Sequence, residues 1–136
     1  MRDLYNNINV VQVANPATAT NTVTSSAIDL QGYNSCTVLI SVGQSGDTLS
    51  GSVYWTLKLT ESVDDSSYTD VAASDMLGSQ TAVIDSSSED EAVYKLGYVG
   101  SKRYLKAVAT KTGTHTNGTP IGIIAVRGDA SREPVA

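Results

Sequence analysis

The clearest pattern in the chain is a strict alternation of apolar and polar side chains over residues 52–60. A period of two is typical of a half-buried β-strand, because a helix would scatter the same apolar residues around its circumference. The pattern predicts a strand, a polar turn at 61–67 and a return strand at 68–71. The inward row, which includes the only Trp of the chain, is Val53, Trp55, Leu57 and Leu59.

Short segments of the same kind follow one another along most of the chain, and none has the period of a helix. Val and Thr are abundant and Phe is absent, which favours strands. We therefore predict an all-β fold, a single β-sandwich of about eight or nine strands of the jelly-roll type. Further strands are predicted at 23–30, 35–42, 92–98, 104–110 and 121–126, and residues 74–85 are predicted to form a turn and a short strand that ends at Asp85.

Turn residues suggest how some of these strands pair. A turn at Gly100-Ser101 predicts that 104–110 pairs with 92–98. Asn117-Gly118 is a strong signal for a hairpin turn. The segment 121–126 is almost wholly apolar, so we expect it to lie in the middle of a sheet.

The chain divides into an N-terminal arm and linker (1–20), a β-sandwich domain (21–128) and a C-terminal tail (129–136). The arm is apolar but interrupted by Asn, and Pro16 breaks any regular pattern in the linker. The apolar side chains of the arm must be buried, either at the edge of their own domain or against another subunit. The candidate partner-contact residues are Leu4, Tyr5, Ile8, Val10, Val11 and Val13.

Composition limits the possible partners. The net charge of −5 and the few Lys and Arg residues argue against nucleic acid, whose phosphates require a basic surface. We also expect no membrane partner and no signal peptide, because no segment is long and apolar enough. Cys36 is the only cysteine, so no intrachain disulfide can form, and we expect it to be a small buried hydrophobe.

No group of residues has the spacing of a catalytic, cofactor-binding or metal site. The acidic residues lack the alternating spacing of a calcium loop, and we expect Asp64-Asp65 to shape a turn. His115, the only histidine, lies in a Gly/Thr-rich turn and is expected to be exposed. No G-x-S-x-G motif is present, so the sequence predicts a protein that is not an enzyme and has no cofactor. The acidic residues in question are Asp64, Asp65, Asp70, Asp85, Glu89, Asp90 and Glu91.

Two other features have both a functional and a structural interpretation. Tyr54, Tyr94, Tyr98 and Tyr104 could line a sugar-binding face, but we favour packing as cross-strand pairs. Arg127-Gly128-Asp129 is the tripeptide that some cell-adhesion receptors recognise, but it is better interpreted as the end of the last strand.

Four segments together resemble a family of small virion proteins of tailed bacteriophages, encoded near the major capsid protein. They are MRDLYNNINVVQ at 1–12, SAIDLQGYNS at 26–35, LTESVDDSSYTDVAASD at 59–75 and YVGSKRYLKAV at 98–108. The resemblance implies a head decoration, or cement, protein. Such a protein would be made in the host cytoplasm, sit on the capsid exterior, bind the major capsid protein and form homo-oligomers, with trimers favoured.

Three other functions remain open at this point. A neck or tail component would also be a β-sandwich that oligomerises. A carbohydrate-binding module would need exposed aromatic rings on one face. A hydrolase is the least favoured, because no nucleophile or metal group is apparent.

Overall fold

The computed structural model describes residues 1–135, and their regular secondary structure is almost entirely antiparallel strand. Two three-residue 3-10 turns, Tyr5–Asn7 and Ala73–Asp75, interrupt them. The strands are β1 (Ile8–Ala19), β2 (Val23–Thr24), β3 (Ile28–Asp29), β4 (Tyr33–Val42), β5 (Tyr54–Ser62), β6 (Thr69–Asp70), β7 (Met76–Leu77), β8 (Thr81–Ile84), β9 (Ala92–Tyr98), β10 (Tyr104–Thr112) and β11 (Thr119–Ala130).

The strands form two sheets that pack face to face. Sheet A has the order β1-β11-β4-β9-β7, and sheet B has the order β2-β10-β5-β6, with β3 also on β10 and β8 also on β5. The first strand thus pairs with the last, and most connections cross between the sheets, as in a jelly roll. The prediction of an all-β sandwich is confirmed, although four two-residue strands raise the number of strands in residues 1–135 to eleven.

Alternation along the long strands builds the core between the sheets. Trp55, Leu57 and Leu59 of β5 are almost completely inaccessible to solvent, as the period of two predicts. From sheet A, Val38 and Ile40 of β4 point at them, and Ile121, Ile123 and Ala125 of β11 complete the opposite wall. The segment predicted at 121–126 does lie inside a sheet, since β11 pairs with β1 on one side and β4 on the other.

Two predicted pairings are wrong. β10 pairs with β5 in sheet B, whereas β9 lies between β4 and β7 in sheet A, so the turn at Gly100-Ser101 crosses between the sheets. Asn117-Gly118 likewise connects β10 in sheet B to β11 in sheet A and forms no hairpin. Both connections bridge the two layers at the ends of the sandwich.

The N-terminal part is more regular than predicted. β1 continues through Pro16 to Ala19 and pairs with β11 along its length, with register shifts between Gln12 and Ala14 and between Ala14 and Ala17. As an edge strand, β1 can include a proline without losing a hydrogen bond of the sheet. Residues 23–30 form two short strands on β10 instead of one.

Candidate functional site

The exposed apolar side chains near the N-terminus form the candidate site that the sequence predicted. Leu4 and Tyr5 are 66% and 87% exposed, and Val10 is 55% exposed. Val11 is exposed at the edge of the sandwich, and Ile8 is half-buried. Five of the six candidates therefore lie wholly or partly at the surface.

Val13 is placed differently from the other five. It is 8% exposed and belongs to the protein's own core, because alternation along β1 turns its side chain toward sheet B. The N–H of Ser26 donates to the Val13 carbonyl at 2.9 Å, and the Ser26 hydroxyl donates to the same oxygen at 3.2 Å. Val13 thus anchors β1 to the domain.

A hydrogen-bonded turn holds Leu4 and Tyr5 in place. The backbone N–H and the side-chain amide of Asn6 donate to the two carboxylate oxygens of Asp3, at 3.1 and 2.6 Å. These bonds lower the pKa of Asp3, since they favour its charged form. The N–H of Val135 donates to the Asn6 carbonyl at 2.8 Å, so the last described residue braces the same turn.

The acidic residues at 64–65 shape a turn, as predicted. One carboxylate oxygen of Asp64 accepts hydrogen bonds from the Ser62 hydroxyl and from the N–H groups of Ser66 and Ser67. Asp65 has a φ of 57° and accepts a hydrogen bond from the Tyr68 hydroxyl. Within residues 1–135, no group of three or more His, Cys, Asp or Glu side chains is arranged to hold a metal ion.

The expectation that His115 is exposed is wrong. Its ring is 4% exposed and lies against Trp55, with 4.6 Å between the ring centroids. Its Nε2 is 3.1 Å from the Thr112 carbonyl, and its Nδ1 is 3.7 Å from the Asp47 carboxylate. Because the ring is sealed inside the sandwich, it packs and does not meet a substrate.

A carboxylate from another loop holds the His115 loop over Trp55. One oxygen of Asp47 accepts the N–H groups of Thr116 and Asn117, at 3.1 and 2.9 Å. The other oxygen accepts the Gly118 N–H at 2.8 Å. These bonds lower the pKa of Asp47. They pin together two loops that are about 70 residues apart, so no local pattern could have predicted them.

The same end of the molecule contains a buried polar chain. The Trp55 indole N–H donates to the Thr119 hydroxyl at 3.1 Å, which donates to the Ser45 hydroxyl at 2.9 Å. The Ser45 N–H in turn donates to Asp90 at 2.9 Å. A buried indole N–H needs a partner, and this chain provides it.

The four tyrosines do not form one aromatic face. Tyr94 and Tyr98 belong to sheet A, and Tyr54 and Tyr104 lie at opposite ends of the paired strands of sheet B. Tyr98 is buried, and its hydroxyl donates to Glu61 and accepts from the Lys102 N–H, at 2.7 and 2.9 Å. The preferred packing role is confirmed for Tyr98.

A cleft of about 400 Å³ opens beside Tyr98, between residues 30–36 and 98–103. Cys36 lies at its wall and is 5% exposed, and burial raises the pKa of its thiol to about 11. The thiol therefore stays protonated at neutral pH and is a poor nucleophile. Cys36 is the buried hydrophobe that the sequence predicted.

The guanidinium of Arg127 contacts other residues of the same chain. It lies 4.5 Å from the Tyr33 ring centroid and donates to the Asn9 side chain and the Asp29 carbonyl. The tripeptide at 127–129 lies in the last strand, as predicted.

No protein-family model matches this chain, and no curated protein matches it significantly. In the described residues, no helix is long and apolar enough to cross a membrane.

Proposed function

We propose that this protein is a non-enzymatic virion structural protein, a head decoration protein of a tailed bacteriophage. In this proposal it binds the outside of the capsid through contacts with the major capsid protein and with copies of itself. The observation that carries the proposal is the apolar side chains of Leu4, Tyr5 and Val10. They are held at the surface by a braced turn and an edge strand.

Fixed apolar side chains at the surface favour a binding role, because burying them on a partner costs little conformational entropy. A few such residues give a weak contact. A capsid repeats the contact over many copies, and linkage between neighbouring contacts adds avidity. The resemblance of four segments to phage decoration proteins supports the same function.

The alternatives have less support. His115 is buried, and the Cys36 thiol is both buried and protonated, so neither provides a reactive group at the surface. The tyrosines that a carbohydrate-binding module would need on one face lie on both sheets. A neck or tail component would use the same kind of surface, and the copy number in the virion distinguishes it from a decoration protein.

The test is binding of purified protein to empty phage heads. Deleting residues 1–15 would remove Val13 from the core, so a sharper variant is Leu4→Ser with Tyr5→Ser, which changes only exposed side chains. We expect the double variant to bind heads at least tenfold more weakly, a loss of about 1.4 kcal/mol, with an unchanged melting temperature.

The matched control is Val63→Ser, because Val63 is similarly exposed (63%) but lies in the turn between β5 and β6. We expect this control to bind like the wild type. If the Leu4/Tyr5 double variant also binds undiminished, the N-terminal segment is not the contact surface and the proposal is refuted.

A further inference from the structure

The outer face of sheet A is unusually apolar for a surface. In the antiparallel ladder, residues opposite one another point to the same side, so the register defines three rows across this face. Val10, Val126, Thr37 and Gly97 form one row, with Leu77 beyond Gly97. Gln12, Ile124, Leu39 and Lys95 form the next row, and Gly122, Ser41 and Val93 form the third.

These side chains remain accessible to solvent. Val10, Leu77 and Val93 are 55%, 60% and 64% exposed, and Leu39, Ile124 and Val126 are half-buried. Lys95 is the only charged residue in the three rows of this described face. A sheet with one solvated face normally alternates apolar-in and polar-out. The outward residues of β11 in these rows are Gly122, Ile124 and Val126, so β11 has the sequence of a strand covered on both sides.

The outer face of sheet B gives an internal comparison. Its central strands, β5 and β10, present mainly Thr, Lys and Tyr, and Lys58 makes a 2.8 Å ion pair with Asp70 across it. That face has the ordinary polar character of a solvated sheet. The difference between the two faces indicates that the outer face of sheet A, and not that of sheet B, is suited to contact with another molecule.

From this asymmetry we infer that a second copy of the chain covers the outer face of sheet A, so that the two copies pack face to face about a two-fold axis, a dimer in place of the trimer that the resemblance favours. The inference rests on the proposed function, which already calls for contacts between copies, and it names the surface that makes them.

The three rows of this face can pack against the same three rows of a second copy. With the axis parallel to the strands and midway between β4 and β11, each row meets the same row of the second copy. β4 then faces β11, and β1 faces β9. Ile124 meets Leu39 at the centre, and Val10 meets Leu77, whose side chain covers Gly97 within one copy. Lys95 meets the Gln12 amide, so the single cation of the face does not meet its own copy.

The size of the face sets the expected affinity. Four strands about 4.8 Å apart, over about seven residues at 3.4 Å each, cover roughly 450 Å² per copy before side-chain corrugation is counted. The total for two copies is then about 1,000 Å² or somewhat more, near the lower limit for a specific interface. We expect a reversible dimer with a dissociation constant in the micromolar range.

The experiment is sedimentation equilibrium of the full chain over a wide range of concentrations. The wild type should approach twice its 14.2 kDa mass as the concentration rises. Ile124→Glu should weaken the dimer at least tenfold. Val93→Glu, at a more exposed position where a charge cannot disturb the core, should do the same. Val108→Glu is the matched control, since Val108 is half-buried on the outer face of sheet B, and it should leave the dimer unchanged.

Three results would overturn the inference: a monomer at every concentration, a trimer, or equal weakening by Val93→Glu and Val108→Glu. Head binding is measured on the same samples. A wild type that binds heads but stays monomeric overturns the pairing and leaves the proposed function standing. A dimer that fails to bind heads supports the pairing and counts against the proposed function.

Discussion

At the scale of single residues, Trp55 is the side chain on which the core most depends. It is fully buried, packs against the tilted ring of His115 and donates to Thr119. Trp55→Ala would leave a large cavity and remove one of the two hydrogen-bond partners of the buried Thr119 hydroxyl. We expect the free energy of unfolding to fall by ~3–5 kcal/mol, measured by urea denaturation followed by circular dichroism. A fall below about 1 kcal/mol would contradict the placement of Trp55 in the core.

A second prediction concerns the ion pair between Asp29 and Arg103. The guanidinium donates to both carboxylate oxygens, at 2.9 and 2.8 Å, and lowers the pKa of Asp29 from its usual 3.8 to about 2. Because the pKa of Asp29 is lower in the folded than in the unfolded protein, the ion pair stabilises the fold at pH values above the unfolded pKa. This stabilisation is lost as the pH falls from about 4 to about 2. Both side chains are 43% exposed, so solvent screening keeps the effect to less than about 1 kcal/mol.

The matched variant for that pair is Asp29→Asn, which cannot titrate. Its free energy of unfolding should depend less on pH between about 5 and 2.5 than that of the wild type, measured by urea denaturation at each pH. Parallel curves for the two proteins would show that the ion pair does not form.

Single residues also show where prediction from sequence ends. The alternation of residues 52–60 was enough to place Trp55 inside, because the period of a strand is a local property. The burial of His115 depends on Asp47, which holds the loop closed from about 70 residues away. A Gly/Thr-rich turn is normally exposed, and nothing local signals that another loop covers it.

At the scale of elements, the connection between β10 and β11 relies on glycine. Gly113 has a φ of +78°, and a Cβ there would lie 2.3 Å from the Ser52 carbonyl oxygen. We expect Gly113→Ala to lower the free energy of unfolding by roughly 1–3 kcal/mol. Gly51→Ala is the control, because nothing lies within 4 Å of a Cβ at that position. Equal stability of the two variants in thermal unfolding would contradict this account of the connection.

The sequence predicted the positions of the strands more accurately than it predicted their pairing. The period of two located β4, β5, β9 and β10 closely, since it reports which face of a strand is buried. It does not report which strand lies alongside. A short connection containing glycine suits both a hairpin and a crossing between sheets, so the connections after β9 and β10 were assigned to hairpins although they cross.

The N-terminal arm was predicted only in part. Its apolar side chains were expected to be buried on the domain or against another subunit, and four of them, Leu4, Tyr5, Val10 and Val11, are exposed in the single chain, so their contact with a partner stays a prediction. The sequence left open whether the arm pairs with its own domain, and the structure shows that β1 pairs with β11. The Asn residues and Pro16 interrupt the apolar pattern, so the sequence did not predict a regular strand here. An edge strand tolerates both.

At the scale of the whole molecule, two apolar regions meet at Val10. It follows Leu4 and Tyr5 along the chain and also begins the first row on the outer face of sheet A. The polar face of sheet B lies on the opposite side of the sandwich. Sheet A is thus the side suited to contact with another molecule, and sheet B is the side suited to solvent.

The copy number of the protein in purified virions tests the central claim most directly. Quantitative mass spectrometry of intact particles would compare it with the major capsid protein. If the protein decorates the head, its abundance should approach that of the capsid protein. A few tens of copies per particle would instead indicate a neck or tail component, and absence from the particle would contradict a structural role in the virion.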